Sequence, residues 1–243
     1  MSLRMVPALV FLAFGMAANA QEEAAAAEEE ASPWSGKVTL GYLATSGNTE
    51  NSSLNSGFEV GYATGNWAHS MSGFAINASE SNATTAEAFG ASWKSERNLS
   101  ETNFLFGKLD WRKDRFSGIP EQFSQTVGYG RRIFDTGTHL LNAEIGAGAR
   151  QSEDSLGETT NELVVRGAGH YQWTFTETAN FTFDLLVEHG DSNTYLQSDF
   201  ALRARLVGNL AMVASYTIKD NSDVPPGTEN TDTFTALSLE YSF

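Results

Sequence analysis

No cysteine occurs among the 243 residues, which excludes a disulfide scaffold, thiolate metal sites and thiol nucleophiles together. Proline is scarce, at 5, whereas 16 Phe, 7 Tyr, 5 Trp and 22 Gly exclude a chain disordered by composition. Basic residues are few: 15 Lys and Arg stand against 30 Asp and Glu, a formal charge of −15. Nucleic acid is thereby excluded as an electrostatic partner, and cations are the better counterparts. Long apolar runs are missing too, except at the very start.

That start reads as an address. Arg4 is a short basic stretch, Met5 to Ala18 is apolar with Val10, Phe11, Leu12 and Phe14, and Ala18-Asn19-Ala20 is a small-x-small site. A secretory signal peptide over 1–20, cleaved between Ala20 and Gln21, is expected; the apolar stretch falls short of the ~20 residues a spanning helix needs. Residues 21–33 form an acidic low-complexity linker, with Glu22, Glu23, Glu28, Glu29 and Glu30 among alanines and no apolar face. One domain, 34–243, remains.

In that domain no helical period is sustained, while alternation of period 2 recurs about every 17 residues. The alternation predicts twelve strands, near 34–44, 53–63, 67–78, 86–97, 102–113, 122–134, 138–150, 161–173, 179–190, 194–206, 210–220 and 233–243. Charges keep to one parity. Leu163, Val165, Tyr171 and Trp173 alternate with Glu162, Arg166 and His170; Phe181, Phe183, Leu185 and Val187 alternate with Asp184 and Glu188. Leu105, Leu109 and Trp111 likewise exclude Lys108, Asp110 and Arg112, and Leu196, Phe200, Leu202, Ala204 and Leu206 exclude Gln197, Asp199, Arg203 and Arg205. Only 67–78 is ambiguous, with Trp67 and Met71 on one parity and Phe74 and Ile76 on the other.

A soluble sandwich also alternates, but its strands usually run to about 5–6 residues, whereas a tilted membrane strand needs about 9–11. Length therefore points to an all-β, closed antiparallel transmembrane β-barrel of about 12 strands. The connections agree: they are brief after even strands, as at Thr64-Gly65-Asn66 and Val207-Gly208-Asn209, and mostly longer after odd ones, the extremes being Gln151 to Thr160 and Asn221 to Asp232. Two aromatic girdles are expected. Trp34, Tyr62, Trp67, Trp93, Trp173, Phe181 and Tyr241 would form the periplasmic one, and Tyr42, Trp111, Phe123 and Tyr195 the outer one. The chain closes on Leu237-x-Leu239-x-Tyr241-x-Phe243, which looks like the C-terminal signal read by the barrel assembly machinery.

Trp34-x-Gly36-x-Val38-x-Leu40-Gly41 followed by Thr45-Ser46-Gly47-Asn48-Thr49 resembles the opening signature of the salt-induced outer-membrane protein family, whose domain is of unknown function. Trp111-Arg112-Lys113-Asp114-Arg115-Phe116-Ser117-Gly118-Ile119-Pro120 resembles its central motif, and Ala143-Glu144-Ile145-Gly146-Ala147-Gly148 with Arg150 its next one. The resemblance covers roughly 34–243. It implies an outer-membrane barrel linked to salt or osmotic response, and it carries over no catalytic residue.

The polar parity collects Lys37, Glu59, Lys94, Glu96, Lys108, Asp110, Arg112, Arg132, Glu144, Arg166, Asp184, Glu188, Asp199, Arg203, Arg205, Lys219 and Glu240. Of these, Lys108, Asp110, Arg112, Glu144, Arg166, Asp184, Glu188, Asp199, Arg203 and Arg205 are the candidate lumenal network. Both signs occur, so a mutually neutralising filling of the lumen is expected, and a selectivity constriction of a narrow porin-like channel is the alternative. Equal spacing about a loop centred near Ser155 sets Glu144 opposite Arg166. An outer-membrane hydrolase with a triad built across strands is a further alternative, but Gly-x-Ser-x-Gly, His-Glu-x-x-His and phosphate loops are absent, His170 and His189 lie on opposite parities, His139 sits at a turn and His69 has Ser70 beside it on the wrong face. The chain is therefore read as a structural or salt-stress envelope protein, not an enzyme, with no cofactor and no dedicated metal site. Its expected partners are outer-membrane lipid and lipopolysaccharide, the assembly machinery, and divalent cations held weakly at outer loops carrying Glu80, Glu153, Asp154, Glu158, Asp191, Asp220, Asp223, Glu229 and Asp232.

Deleting Phe243 is expected to lower the heat-modifiable folded form in the outer membrane while leaving signal cleavage intact. An unchanged folded yield on gel-shift assay would make the terminal residue incidental.

Overall fold

The computed structural model describes residues 32–45, 51–80, 83–117 and 119–243. The expected signal peptide, its cleavage point, most of the acidic linker, and Ser46 to Thr49 of the opening signature lie outside them. The described chain holds twelve strands and no helix: β1 (Trp34–Thr45), β2 (Asn51–Thr64), β3 (Trp67–Glu80), β4 (Ala83–Asn98), β5 (Asn103–Asp114), β6 (Glu121–Asp135), β7 (His139–Glu153), β8 (Thr159–Thr176), β9 (Ala179–Gly190), β10 (Thr194–Val207), β11 (Leu210–Asn221) and β12 (Thr231–Ser242). Each pairs antiparallel with its sequence neighbours, and β12 returns to β1, so the sheet is a closed barrel. Every expected strand is present, displaced by three residues at most at either end.

The hairpins close tightly at one end of the barrel. Gly65 and Gly208 sit in two-residue turns at φ +53°, a left-handed conformation that the primed hairpin turns require and that residues with a Cβ avoid. At the other end the loops are mostly longer, up to 222–230 between β11 and β12. The loop expected over Gln151 to Thr160 shrinks to 154–158, because β7 and β8 continue pairing as far as Glu153 and Thr159. The Asp154 carboxylate accepts the N–H groups of Leu156 and Glu158 at 2.8 and 2.9 Å, which fixes the turn about Leu156. This corrects the register: Glu144 stands opposite Ala168 and Arg166 opposite Gly146.

The seam is the shortest pairing. Strand β1 meets β12 from Lys37↔Ser242 to Leu40↔Leu239, and Gly36 and Phe243 exchange two further backbone hydrogen bonds of 2.9 Å. The Phe243 ring lies over Gly36, where a Cβ would come within 2.4 Å of it. The terminal residue thus has a structural task in closing the ring.

Outward faces are apolar. Val38, Leu40, Leu54, Phe58, Leu105, Leu109, Val127, Ile145, Leu163, Val165, Leu202, Leu237 and Leu239 are all exposed, which water tolerates poorly and hydrocarbon well. Toward the short-turn end Trp34 packs on Tyr62 at 4.7 Å, and Trp67, Trp93, Trp173 and Tyr241 stand exposed. Tyr42 is exposed at the loop end. Tyr195 is a correction: it is buried inside the barrel, because β10 puts odd residues inward, opposite Glu188 of β9. The ambiguous β3 uses both faces, with Trp67 and Met71 outside and Phe74 inside, its ring over Gly90.

Arg placed at Leu185 is expected to destabilise the inserted barrel by about 2–4 kcal/mol, and Arg at neighbouring Asp184 far less, since only the first faces hydrocarbon. Urea unfolding in lipid vesicles checks this; equal losses would refute the assignment of faces on β9.

Candidate functional site: the lumen

Inward side chains from β4 to β9 build a charged cluster around two rings. Phe104 and Phe106 of β5 are buried because β6 offers glycines opposite them, Gly130 and Gly128; a Cβ there would lie 2.1 and 2.6 Å from the rings. The rings form a floor for cations. Lys94 Nζ stands 5.4 Å from both, Arg166 5.3 Å from Phe106 and Arg132 4.9 Å from Phe104, within cation–π range.

Each cation here meets a carboxylate. Glu144 accepts from Lys94 and, at 2.8 Å, from Arg166, reached diagonally from two residues along the neighbouring strand. Lys94 also pairs with Glu96 at 2.7 Å, and Lys108 with Asp110 at 2.8 Å. Glu188, fully buried, receives Arg112 and the Ser124 hydroxyl, both at 3.1 Å. Burial at these sites is tolerable only because opposite charges and hydroxyls replace lost water.

Other expected members lie apart from this cluster. Asp184 and Asp199 face each other across β9 and β10; Asp184 bonds His170 at 2.6 Å, and Asp199 accepts from Thr217 and Gln197 at 2.6 and 2.7 Å. Arg203 pairs instead with Glu240 at 2.6 Å. Arg205 donates to the Glu177 carbonyl in the turn after β8.

The candidate network omits Arg150, a fully buried side chain. It binds Glu162 at 2.6 Å and the carbonyl oxygens of Asn193 and Glu188, so it ties β7 and β8 to the loop between β9 and β10. Its parity matches that of Glu144 within the expected strand 138–150, a signal available in the sequence.

Two groups cross the bore. Arg112 of β5 lies 4.0 Å from the ring of Tyr195 on β10. Lys219 of β11 lies 4.7 Å from Phe234 of β12, 5.5 Å from Phe74 of β3, and 3.8 Å from Asp114 of β5. A cavity of about 490 Å³ touches Phe74, Arg112, Glu144, Asp184 and Asp199, and another of about 360 Å³ at the loop end touches Asp114, Phe116, Asp232 and Phe234.

Hydrolytic chemistry finds no assembled site among the described residues. Ser95 does bond His69, at 2.9 Å, but on the outward face between Trp67 and Trp93, and no carboxylate bonds that histidine among the described residues. No group of three or more His, Asp or Glu among the described residues is placed to hold a metal ion.

The family described as "Protein of unknown function, DUF481" matches residues 38–243. The chain is 33% identical over 249 residues to the uncharacterized protein YdiY of Escherichia coli (strain K12), covering 99% of this chain and 98% of that one. Among solved structures it is similar to the COG4313 outer membrane channel from Pseudomonas putida F1, with a TM-score of 0.52 at 8% identity over 91% of this chain and 100% of that one. It also resembles the translocator domain of the autotransporter NalP from Neisseria meningitidis, with a TM-score of 0.49 at 12% identity over 89% and 90%. At these identities the likeness is one of fold.

Replacing Glu144 by Gln leaves Lys94 and Arg166 without their shared counter-charge, and a loss on the order of 3–5 kcal/mol is expected. Glu144→Gln with Arg166→Met is expected to lose less than the summed single changes. A double-mutant cycle by urea unfolding reads the coupling; additive losses would show that the pair does not interact.

Proposed function

We propose, from the premise that the chain belongs to the DUF481 family of proteins of unknown function, that it is an outer-membrane β-barrel whose lumen is sealed by its own side chains. In this reading it is exported by a signal peptide cleaved after Ala20, folded by the assembly machinery through Leu237, Leu239, Tyr241 and Phe243, and embedded among lipid and lipopolysaccharide. Its role is then a structural one in the envelope under salt or osmotic stress. The stress link rests on the resemblance of its motifs, and the membrane link on the outward apolar belt and on a closed sheet with backbone groups paired around the ring.

The observation that carries the sealed lumen is the pair of contacts from facing walls, Arg112 with Tyr195 and Lys219 with Asp114. A porin-like passage needs a wet path past them. The two cavities favour a second reading, a narrow channel for ions or small solutes whose constriction these groups form. Catalysis has no part in either.

Planar bilayers decide between the two. The refolded chain is expected to leave baseline conductance unchanged, while its loss lowers survival of cells shifted to high salt; steady ohmic steps from the unaltered chain would overturn the sealed lumen in favour of the channel.

A further inference from the structure

We propose that Lys219 is a tethered plug, and that its ammonium group occupies the narrowest point of a cation pathway through the barrel. The inference deepens the sealed-lumen reading and rests on it. Lys219 belongs to β11 and Asp114 to β5, six places apart in the order of twelve strands, which is across the full diameter. The two side chains are nearly buried, at 12% and 15% exposure, although each stands close to the loop end of its strand.

The ammonium touches walls of both cavities. Phe74, 5.5 Å from it, lines the larger; Phe234 and Asp114, at 4.7 and 3.8 Å, line the smaller. What surrounds it is chemistry for a cation. Asp232 stands opposite Lys219 in the register of β11 and β12, Asp114 approaches from the far wall, and the faces of Phe234 and Phe74 supply the negative side of two ring quadrupoles. Arg112, the other cation that crosses the bore, is engaged with Glu188 and Tyr195.

The attachment is loose. Among the described residues Lys219 Nζ lies 3.8 Å from its carboxylate, beyond an ordinary hydrogen bond, whereas Arg150 and Arg166 are held at 2.6 and 2.8 Å. Arg166 and Arg150 belong to the architecture of the wall; Lys219 fills a gap that two acids and two rings would offer equally to a free monovalent or alkylammonium ion. With the tether shortened, the gap becomes an acid-lined constriction, which passes cations in preference to anions.

Lys219→Ala and Lys219→Gln, each refolded and checked for heat-modifiability, are the variants, with Lys219→Arg as the closed control. In bilayers the first two are expected to give conductance steps that the unaltered chain lacks, with a reversal potential in a potassium chloride gradient that reports cation selectivity. Added methylammonium is expected to block that current, and Asp114→Asn in the Lys219→Ala background to weaken both selectivity and block. Folded variants that stay closed beside a closed parent overturn the plug and leave the sealed lumen standing, and so does an anion-selective current. A parent that already conducts overturns the sealed lumen; the plug then falls with it if Lys219→Ala changes nothing, and stands if conductance rises.

Discussion

Backbone amides and carbonyls in a hydrocarbon layer have no water to bond, so a sheet there must leave no free edge. That requirement shapes this chain throughout. Twelve strands pair in sequence order, and the ring closes where β12 meets β1 over Lys37 to Leu40. This is the shortest pairing in the barrel, and the chain ends on it, with Phe243 lending its last backbone groups and its ring to Gly36. Closure in turn divides every strand into two environments at alternate residues, which is why the outward set is nearly all apolar while the inward set holds the charges.

The inside then has its own problem, since twelve strands enclose more space than one layer of short side chains fills. The chain answers with pairs that span strands. Rings from β5 sink onto glycines of β6, and cations from β4, β6 and β8 lie over the rings while bonding Glu144 or Glu96. Because carboxylate, guanidinium and ring depend on one another, removing any one strands the rest at a place water does not readily reach. The cluster leans on one half of the wall. Opposite it, β1 to β3 carry Thr39, Gly57, Gly61, Ser70 and Ser72 beside the pair of Lys37 and Glu59 at 3.0 Å.

Buried ion pairs such as Arg150 with Glu162 are screened by salt far less than surface pairs. Cross-bore contacts such as Arg112 with Tyr195 and Lys219 with Asp114 also act as struts between facing walls.

The amino-acid order alone determined the number of strands, their extents to within three residues, and the outward placement of most apolar side chains, because a period of two is written directly in neighbouring residues. It also placed Glu144, Arg166, Arg112 and Glu188 on the polar parity, although it chose a register two residues off between β7 and β8, since the turn there centres on Leu156 through the Asp154 cap rather than on Ser155. Polarity misled at Tyr195, expected in the outer girdle and buried inside, and left Phe74 undecided; the inward rings of Phe74, Phe104 and Phe106 sit over glycines of neighbouring strands, which nothing local in the sequence marks. Which charges meet was decided only by the closed tertiary structure. Arg150 met Glu162 through the register of the β7–β8 hairpin, whereas Arg203 chose Glu240 and Lys219 reached Asp114 from the far wall, because barrel closure brings together residues that are distant along the chain and up to half the ring apart in strand order.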